Sequence, residues 1–323
     1  MPRAIVTGAF SNIGSAVAAQ FLLRGFDLHT LTNRRTPDGV DSITSAPLHF
    51  DPEHLACELD DADVMVSTYW VRLPHGGTTF DTAVQNLETL IGVAARAGVK
   101  RFVHVSVSNA SLDSKLGYYH GKARVDEMVR ASGMSYAIVR PTLVVGPYDV
   151  LTGNIVWFLR HFPIFPVPGG GAGRISPITL RDTGRVIVDA ALASDDLDID
   201  AAGPESYTFR EYVELLARAC GVRRLIFGAP AWLALAGIRL VELFVRDVIL
   251  TEEELLGLQQ DLLLTHKPPT GTESVETWLM DNAGLLGRSY VNDIHRHFGA
   301  GATTPIRSPT AHTTPHSCGN GHL

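Results

Sequence analysis

At 323 residues the chain is too long for one small domain and long enough to bury a sizeable core. An apolar fraction of 45% beside 19% charged residues excludes wholesale disorder, and a net charge of −7 without a basic block argues against nucleic acid as a partner. Its three cysteines, Cys57, Cys220 and Cys318, stand far apart with no CxxC pair, which argues against a disulfide framework or zinc site and for a reducing compartment.

The chain opens directly on Arg3-Ala4-Ile5-Val6-Thr7-Gly8, a strand entering a glycine turn, so no signal peptide is expected and the cytoplasm is the expected location. Short β-branched runs then alternate with helical patterns. Strands are predicted over 3–7, 28–32, 48–50, 64–68, 101–106 and 136–140, and helices over 13–24, 52–59, 79–97 and 122–132. That alternation predicts an α/β fold: a doubly wound parallel sheet of the Rossmann type, whose ligand sits at the carboxyl ends of the strands.

Within the first turn, each residue of Gly8-Ala9-Phe10-Ser11-Asn12-Ile13-Gly14 has a task. Gly8 allows the tight turn, Ser11 stands where the usual pattern has its middle glycine, and Gly14 lets helix and strand pack closely. The helix that follows offers free N–H groups and a partial positive charge to a pyrophosphate. The second strand ends in Thr32-Asn33-Arg34-Arg35, with no acid before Asp38 to bind a ribose 2′-hydroxyl. Two guanidiniums there suit a 2′-phosphate, so the expected cofactor is NADP(H), with NAD(H) second. The candidate cofactor contacts are Gly8, Phe10, Ser11, Asn12, Ile13, Gly14, Asn33, Arg34, Arg35, Asp51, Thr68 and Lys122.

The fifth central strand ends in the hydroxyls of Ser106 and Ser108, and Tyr118-Tyr119-His120-Gly121-Lys122 follows. Tyr118 and Lys122 are four apart and share a helix face. An ammonium beside a phenol lowers the tyrosine pKa from about 10 toward neutrality, which makes a general acid/base. Tyr118, Lys122, Ser106 and Ser108 are therefore the candidate catalytic residues. Tyr69-Trp70 follows the fourth strand at the edge where substrate would lie and is read either as pocket wall or as packing.

Beyond about 145 the pattern loosens. Helices are predicted over 154–162, 179–193 and 208–220, a Pro/Gly-rich loop over 163–173, and one strand rejoining the sheet near 199–202. Trp157-Phe158 and Phe162-Pro163-Ile164-Phe165 suggest an apolar wall in the lobe, with core packing the default reading. The apolar stretch 229–250 is broken by Arg239, Glu242, Arg246 and Asp247; it reads as a helix covering the pocket, with membrane-surface contact the weaker reading. From Gly299 the Thr-, Pro-, His- and Gly-rich tail has nothing to bury. His312, His316, Cys318 and His322 lie in it, but no metal site is expected. The expected domains are 1–147 for the dinucleotide, 148–298 as a smaller substrate lobe, and 299–323 as the tail.

Over 2–221 the chain resembles the extended and atypical short-chain dehydrogenase/reductases. The matching pieces are Thr7-Gly8…Gly14, Asn86, Gly98-Val99-Lys100-Arg101-Phe102-Val103, Tyr118…Lys122, Arg140-Pro141-Thr142…Gly146-Pro147, and Pro168-Gly169-Gly170-Gly171 with Asp182. More narrowly, Ser11, Tyr69-Trp70-Val71-Arg72 and the Tyr118–Lys122 segment look like a branch similar to the NADPH-binding accessory subunit of respiratory complex I. The resemblance implies an NADP(H)-dependent epimerase, dehydratase or carbonyl reductase acting on a small molecule, with a homodimer allowed. The branch implies the alternative, a protein that holds NADP(H) for structure or redox sensing without turnover. The family's serine aligns near Val107, so Ser106 and Ser108 both stay open.

Overall fold

β-branched runs that alternate with amphipathic helices can be buried on both faces only in a parallel sheet with helices on each side. The computed structural model describes residues 1–74, 77–230, 232–233, 236, 238–239, 242 and 247–292. Its first half runs β1 (Arg3–Thr7), α1 (Asn12–Leu23), β2 (Asp27–Leu31), β3 (Ile43–Ala46), α2 (Pro52–Glu58), β4 (Val64–Ser67), α3 (Phe80–Arg96), β5 (Arg101–Val105), α4 (Gly117–Arg130) and β6 (Ser135–Pro141). Then come β7 (Val144–Val145), α5 (Val150–His161), β8 (Ile164–Pro168), β9 (Arg174–Ile175), β10 (Ile178–Thr179), α6 (Leu180–Leu192), β11 (Leu197–Ala201), β12 (Tyr207–Thr208), α7 (Phe209–Ala219) and β13 (Leu225–Ala229). Two further helices are α8 (Glu252–Gln259) and α9 (Val275–Asn282).

Seven parallel strands form the main sheet in the order β11-β6-β5-β4-β1-β2-β3, the doubly wound architecture that the alternation predicts. The period of two divides each strand between two cores. Ala4 and Val6 of β1 join Val64, Val66, Val103 and Val139 under α1 and α6, while Ile5 joins Met65, Phe102 and Ile138 under α2, α3 and α4. The α1–α6 crossing is so close that a Cβ on Gly184 would lie 2.7 Å from the Ala16 carbonyl carbon. A third core gathers α5, α7 and α9 into the lobe. The predicted returning strand is β11, which pairs with β6. Helix α6 and strand β11 thus lie in the sheet's own layers although they follow residue 148.

The structure corrects three sequence expectations. The third strand is Ile43–Ala46, not 48–50: Pro47 follows β3, and the Asn33 side chain bonds the Leu48 backbone at both N–H and C=O, drawing the chain out of the ladder. Within the predicted loop 163–173, Ile164–Pro168 is a strand paired in parallel with β13. Helix α4 begins at Gly117 rather than 122 because its first N–H groups find a partner in another segment, described below. The stretch 229–250 lies largely outside the described residues, and the tail 299–323 wholly so. Among the described residues no helix is long and apolar enough to cross a membrane.

A cofactor cleft joined to a tyrosine site

The β1–α1 turn is built by backbone constraint. Gly8 sits at φ +67°, and its N–H donates to Leu31 O at 2.8 Å, tying the turn to β2. A Cβ on Gly14 would come within 2.0 Å of Gly8 O, so only glycine fits there. Ser11 is the N-cap of α1, its hydroxyl accepting from Gly14 N at 3.2 Å. That explains how serine replaces the usual middle glycine: it satisfies one helix donor. Thr7 Oγ1 accepts from Thr68 N at 2.8 Å and Tyr69 N at 3.1 Å, which sews together the carboxyl ends of β1 and β4.

Above these strand ends lies a cavity of about 1530 Å³, larger than the roughly 300–1,000 Å³ of an ordinary small-molecule site. Gly8, Ser11, Asn12, Ile13 and Thr68 line one end, followed by Thr32, Asn33, Arg34 and Arg35 at the β2 end. Asn12 Oδ1 is buried on this wall with no hydrogen-bond partner, an acceptor suited to a ligand donor. The residues present therefore fit a dinucleotide whose phosphates face the α1 N-terminus. Arg35 pairs with Asp38 at 3.6 Å, both strongly exposed, so the pair holds the arginine only weakly. Four predicted contacts do not line the wall: Phe10, Gly14, Asp51 and Lys122, of which Gly14 packs beneath the turn and Lys122 is described below. Phe10 is buried in the sheet core beneath the turn, because its ring is apolar and the turn points it inward. Asp51 is exposed and caps α2, accepting from His54 N at 2.9 Å.

At the other end, α4 presents Tyr118 half-buried on the cavity wall, and Ser106 lies on the same wall. The Ser106 hydroxyl is buried without a hydrogen-bond partner and stands near Asp126; burial pushes that carboxyl above its usual range, while Arg140 and Ser106 oppose the rise. Ser108 is turned elsewhere: its hydroxyl donates to Leu262 O at 2.6 Å. Of the two serines, the structure brings Ser106 to the cavity.

The Tyr118–Lys122 relation departs from expectation. Lys122 Nζ donates to Val105 O at 2.7 Å and lies 4.4 Å from the centroid of the Trp70 ring, off the cavity wall. Trp70 is edge-on to Tyr118 at 5.9 Å, so the indole touches both members of the pair. The Tyr118 phenol is accordingly not acidified. Burial pushes its pKa up to about 12, Glu254 adds to that, and only Arg72 opposes it. Burial lowers Lys122 to about 7, with Asp126 pulling it back. Two glycines seat the aromatic group on α4. A Cβ on Gly121 would lie 3.1 Å from the Trp70 ring, and one on Gly117 would lie 3.0 Å from the Phe80 ring.

No side chain of its own caps the N-terminus of α4. The Glu253 carboxylate of α8 instead accepts from Gly117 N at 3.1 Å and Tyr118 N at 3.2 Å. Neighbouring Glu254 closes a capping box with Thr251 and accepts from Arg72 Nε at 2.8 Å. Sequence reading missed this strap and Phe80, and had Arg72 only within the branch motif, not as the partner of Glu254. The only local signal was Thr251 three residues before Glu254, a helix start that says nothing of where the helix docks. The lobe aromatics stand off the cavity wall: Trp157 packs on Phe158, His161, Phe162 and Tyr290 in a partly exposed aromatic cluster.

Residues 8–147 match the family model described as NAD(P)H-binding. The chain is 24% identical over 179 residues to NADH dehydrogenase (ubiquinone) 1 alpha subcomplex subunit 9 of Arabidopsis thaliana, covering 53% of this chain and 44% of that protein. It is 22% identical to Photosystem II assembly factor Ycf39 of Cyanidium caldarium, covering 70% and 74%. Among solved structures, gox2253 superposes with TM-score 0.65 at 18% identity over 93% of this chain and 99% of that one. A UDP-glucuronic acid 4-epimerase from Bacillus cereus in complex with NAD gives 0.59 at 16% over 71% and 87%. Residues 8–147 therefore carry an NAD(P)H-binding-type domain, and the chain shares the fold of these solved structures. Its relatives in sequence include a mitochondrial NADH dehydrogenase subunit and a photosystem II assembly factor. The matches span less than half of the first curated relatives, 44% and 40% of their lengths.

Proposed function

We propose that this chain is an NADP(H)-dependent oxidoreductase of the extended short-chain dehydrogenase type, acting in the cytoplasm on a small molecule. The observation that carries this reading is the continuity of one cavity from the α1 N-terminus and Arg34 to Ser106 and Tyr118. Of the three reactions open to the family, carbonyl reduction suits Tyr118 best. A phenol held at about 12 keeps its proton at neutral pH and serves as a donor. Ser106 supplies a second hydroxyl for the substrate oxygen. NADP(H) is preferred over NAD(H) because the wall from Thr32 to Arg35 offers guanidiniums and no carboxylate. The test is titration with NADPH and NADH followed by a turnover assay on carbonyl compounds. Equal affinities sink the cofactor preference, and a bound but inert nucleotide sinks the enzyme.

A second reading is favoured by one observation: Trp70 lies against both Tyr118 and Lys122 and keeps the ammonium off the cavity wall. On that reading the protein holds NADP(H) without turnover. Nucleotide that co-purifies and survives dialysis would support it; easy exchange would support the enzyme.

A further inference from the structure

We infer that the tyrosine end of the cavity takes an uncharged ketone carried on a ring, and not a nucleoside-diphosphate sugar. The inference rests on the reductase reading above and names its substrate class.

Shape comes first. Trp70 and Phe80 lie nearly parallel, 8° apart with centroids 6.4 Å from each other, and Tyr118 stands edge-on to both at 5.9 Å. Leu151, Leu250 and Leu258 contribute aliphatic wall on the lobe side. Aromatic faces and edges with aliphatic neighbours suit a flat or puckered ring, which gains burial and edge-to-face contact there.

Charge is the second, independent observation. The described walls of this end carry four carboxylates, Asp149, Glu252, Glu253 and Glu254. Three of them are fixed by structural duty. Asp149 caps α5, Glu253 caps α4, and Glu254 caps α8. The arginines described on this wall already face acids, Arg72 at 2.8 Å from Glu254 and Arg239 at 3.3 Å from Glu242. A diphosphate would meet like charges in a partly desolvated site with its counter-charges already engaged. An uncharged ligand meets no such opposition.

The remaining polar groups match one carbonyl oxygen. Ser106 Oγ is buried without a hydrogen-bond partner, and Tyr118 carries a held proton. Reduced nicotinamide held in the cleft would supply a hydride to the carbonyl carbon, and the oxygen, taking up the C=O π pair, would receive the proton that Tyr118 holds. The ketone is reduced to an alcohol, NADPH is oxidised to NADP+, and solvent returns a proton to Tyr118.

The experiment uses the full chain, saturated with NADPH, and three probes: 1-tetralone, 2-decalone and UDP-glucose. Thermal midpoint shifts and calorimetric titration read binding without any requirement for turnover. The expected result is that at least one ketone binds ten-fold or more tightly than UDP-glucose. Phe80→Ala should weaken that ketone about ten-fold and leave NADPH affinity unchanged. UDP-glucose binding as tightly as the ketones overturns the inference, as does the failure of both ketones to bind by about 1 mM. So does a Phe80→Ala chain that folds, binds NADPH and holds the ketone as the wild type does; Leu250→Glu serves as the second variant if Phe80→Ala does not fold. NADPH affinity is measured first and the ketones are repeated on the nucleotide-free chain. A chain that binds ketone but not NADPH thus refutes the function reading and leaves the substrate class standing.

Discussion

At the nucleotide end of the cavity the wall is built on a backbone turn, shaped by Gly8 at positive φ and by Gly14 pressed against Gly8 O. At the tyrosine end the wall is side chain, drawn from segments as far apart in sequence as Trp70 and Leu258. The first is set by a seven-residue string that must turn, bare its N–H groups and start a helix. The second depends on how a lobe docks. A backbone site tolerates no added atom, whereas a side-chain site can be retuned residue by residue.

Gly14→Ala should break the first end outright. Its Cβ has no room beside a carbonyl oxygen, and relief requires the turn to move. A loss of about 1–3 kcal/mol in stability is expected, with NADPH affinity reduced beyond measurement, both readable in one denaturation series with and without nucleotide. A normal dissociation constant would show that the turn is more yielding than its geometry.

Tyr118→Phe acts only at the second end. The ring stays and the proton donor goes, so turnover should fall roughly 10²–10⁴-fold while NADPH binding holds. Retained turnover would assign the proton to another group.

Arg34→Ala with Arg35→Ala probes the nucleotide end more gently. Charge-assisted hydrogen bonds contribute about 1.5–3 kcal/mol each, but Arg35 is largely exposed, so a loss nearer ten-fold for NADPH is expected. NADH affinity should stay as it was, and a parallel fall in both cofactors would refute 2′-phosphate recognition.

Lys122, beneath the tyrosine end, carries a pH dependence. Its pKa falls from 10.5 in the unfolded chain to about 7 when buried. Between those values the unfolded chain binds the extra proton, so stability attributable to this group rises as pH climbs above about 7. Lys122→Met should flatten that rise in the thermal midpoint of the nucleotide-free protein. An identical slope in the variant would place the lysine in water.

The smallest effect belongs to Glu253→Gln, which keeps an acceptor but removes the charge facing the α4 N-terminus. A loss of about 0.3–1 kcal/mol is expected. Glu253→Ala, which removes the cap itself, should cost about 0.5–2 kcal/mol, and a larger shift would mean that α8 as a whole had left.

The legibility of each end in the sequence follows from the same contrast. The sheet, the returning strand and the cofactor turn were readable because their signals are local: period two, a cap, glycines at fixed offsets. Strand β3 was misplaced since an edge strand of Ile43-Thr44-Ser45-Ala46 buries little and gives almost no hydrophobic pattern. Tyr118, Lys122 and the two serines were legible as a group, but not their relation. Ser108 spends its hydroxyl on Leu262 O, Lys122 turns to Val105 O, and Trp70 lies against Tyr118 and Lys122. Those contacts cross the fold, and no spacing along the chain encodes them. Phe10 and Asp51 sit at positions right for a cofactor, yet local folding uses one as core and the other as a cap.

The carboxylate that Glu253 lends to α4 bears on how this architecture can be divided. Cutting after residue 147 would keep most of the sheet and every residue of the NAD(P)H-binding match, but it would remove the cap of the tyrosine helix along with β11 and α6. Grafting a foreign lobe would raise the same difficulty unless the graft brought an acid to that helix end. The two halves are therefore not interchangeable cassettes. A lineage that exchanged one lobe for another would have had to rebuild the start of α4 at the same time.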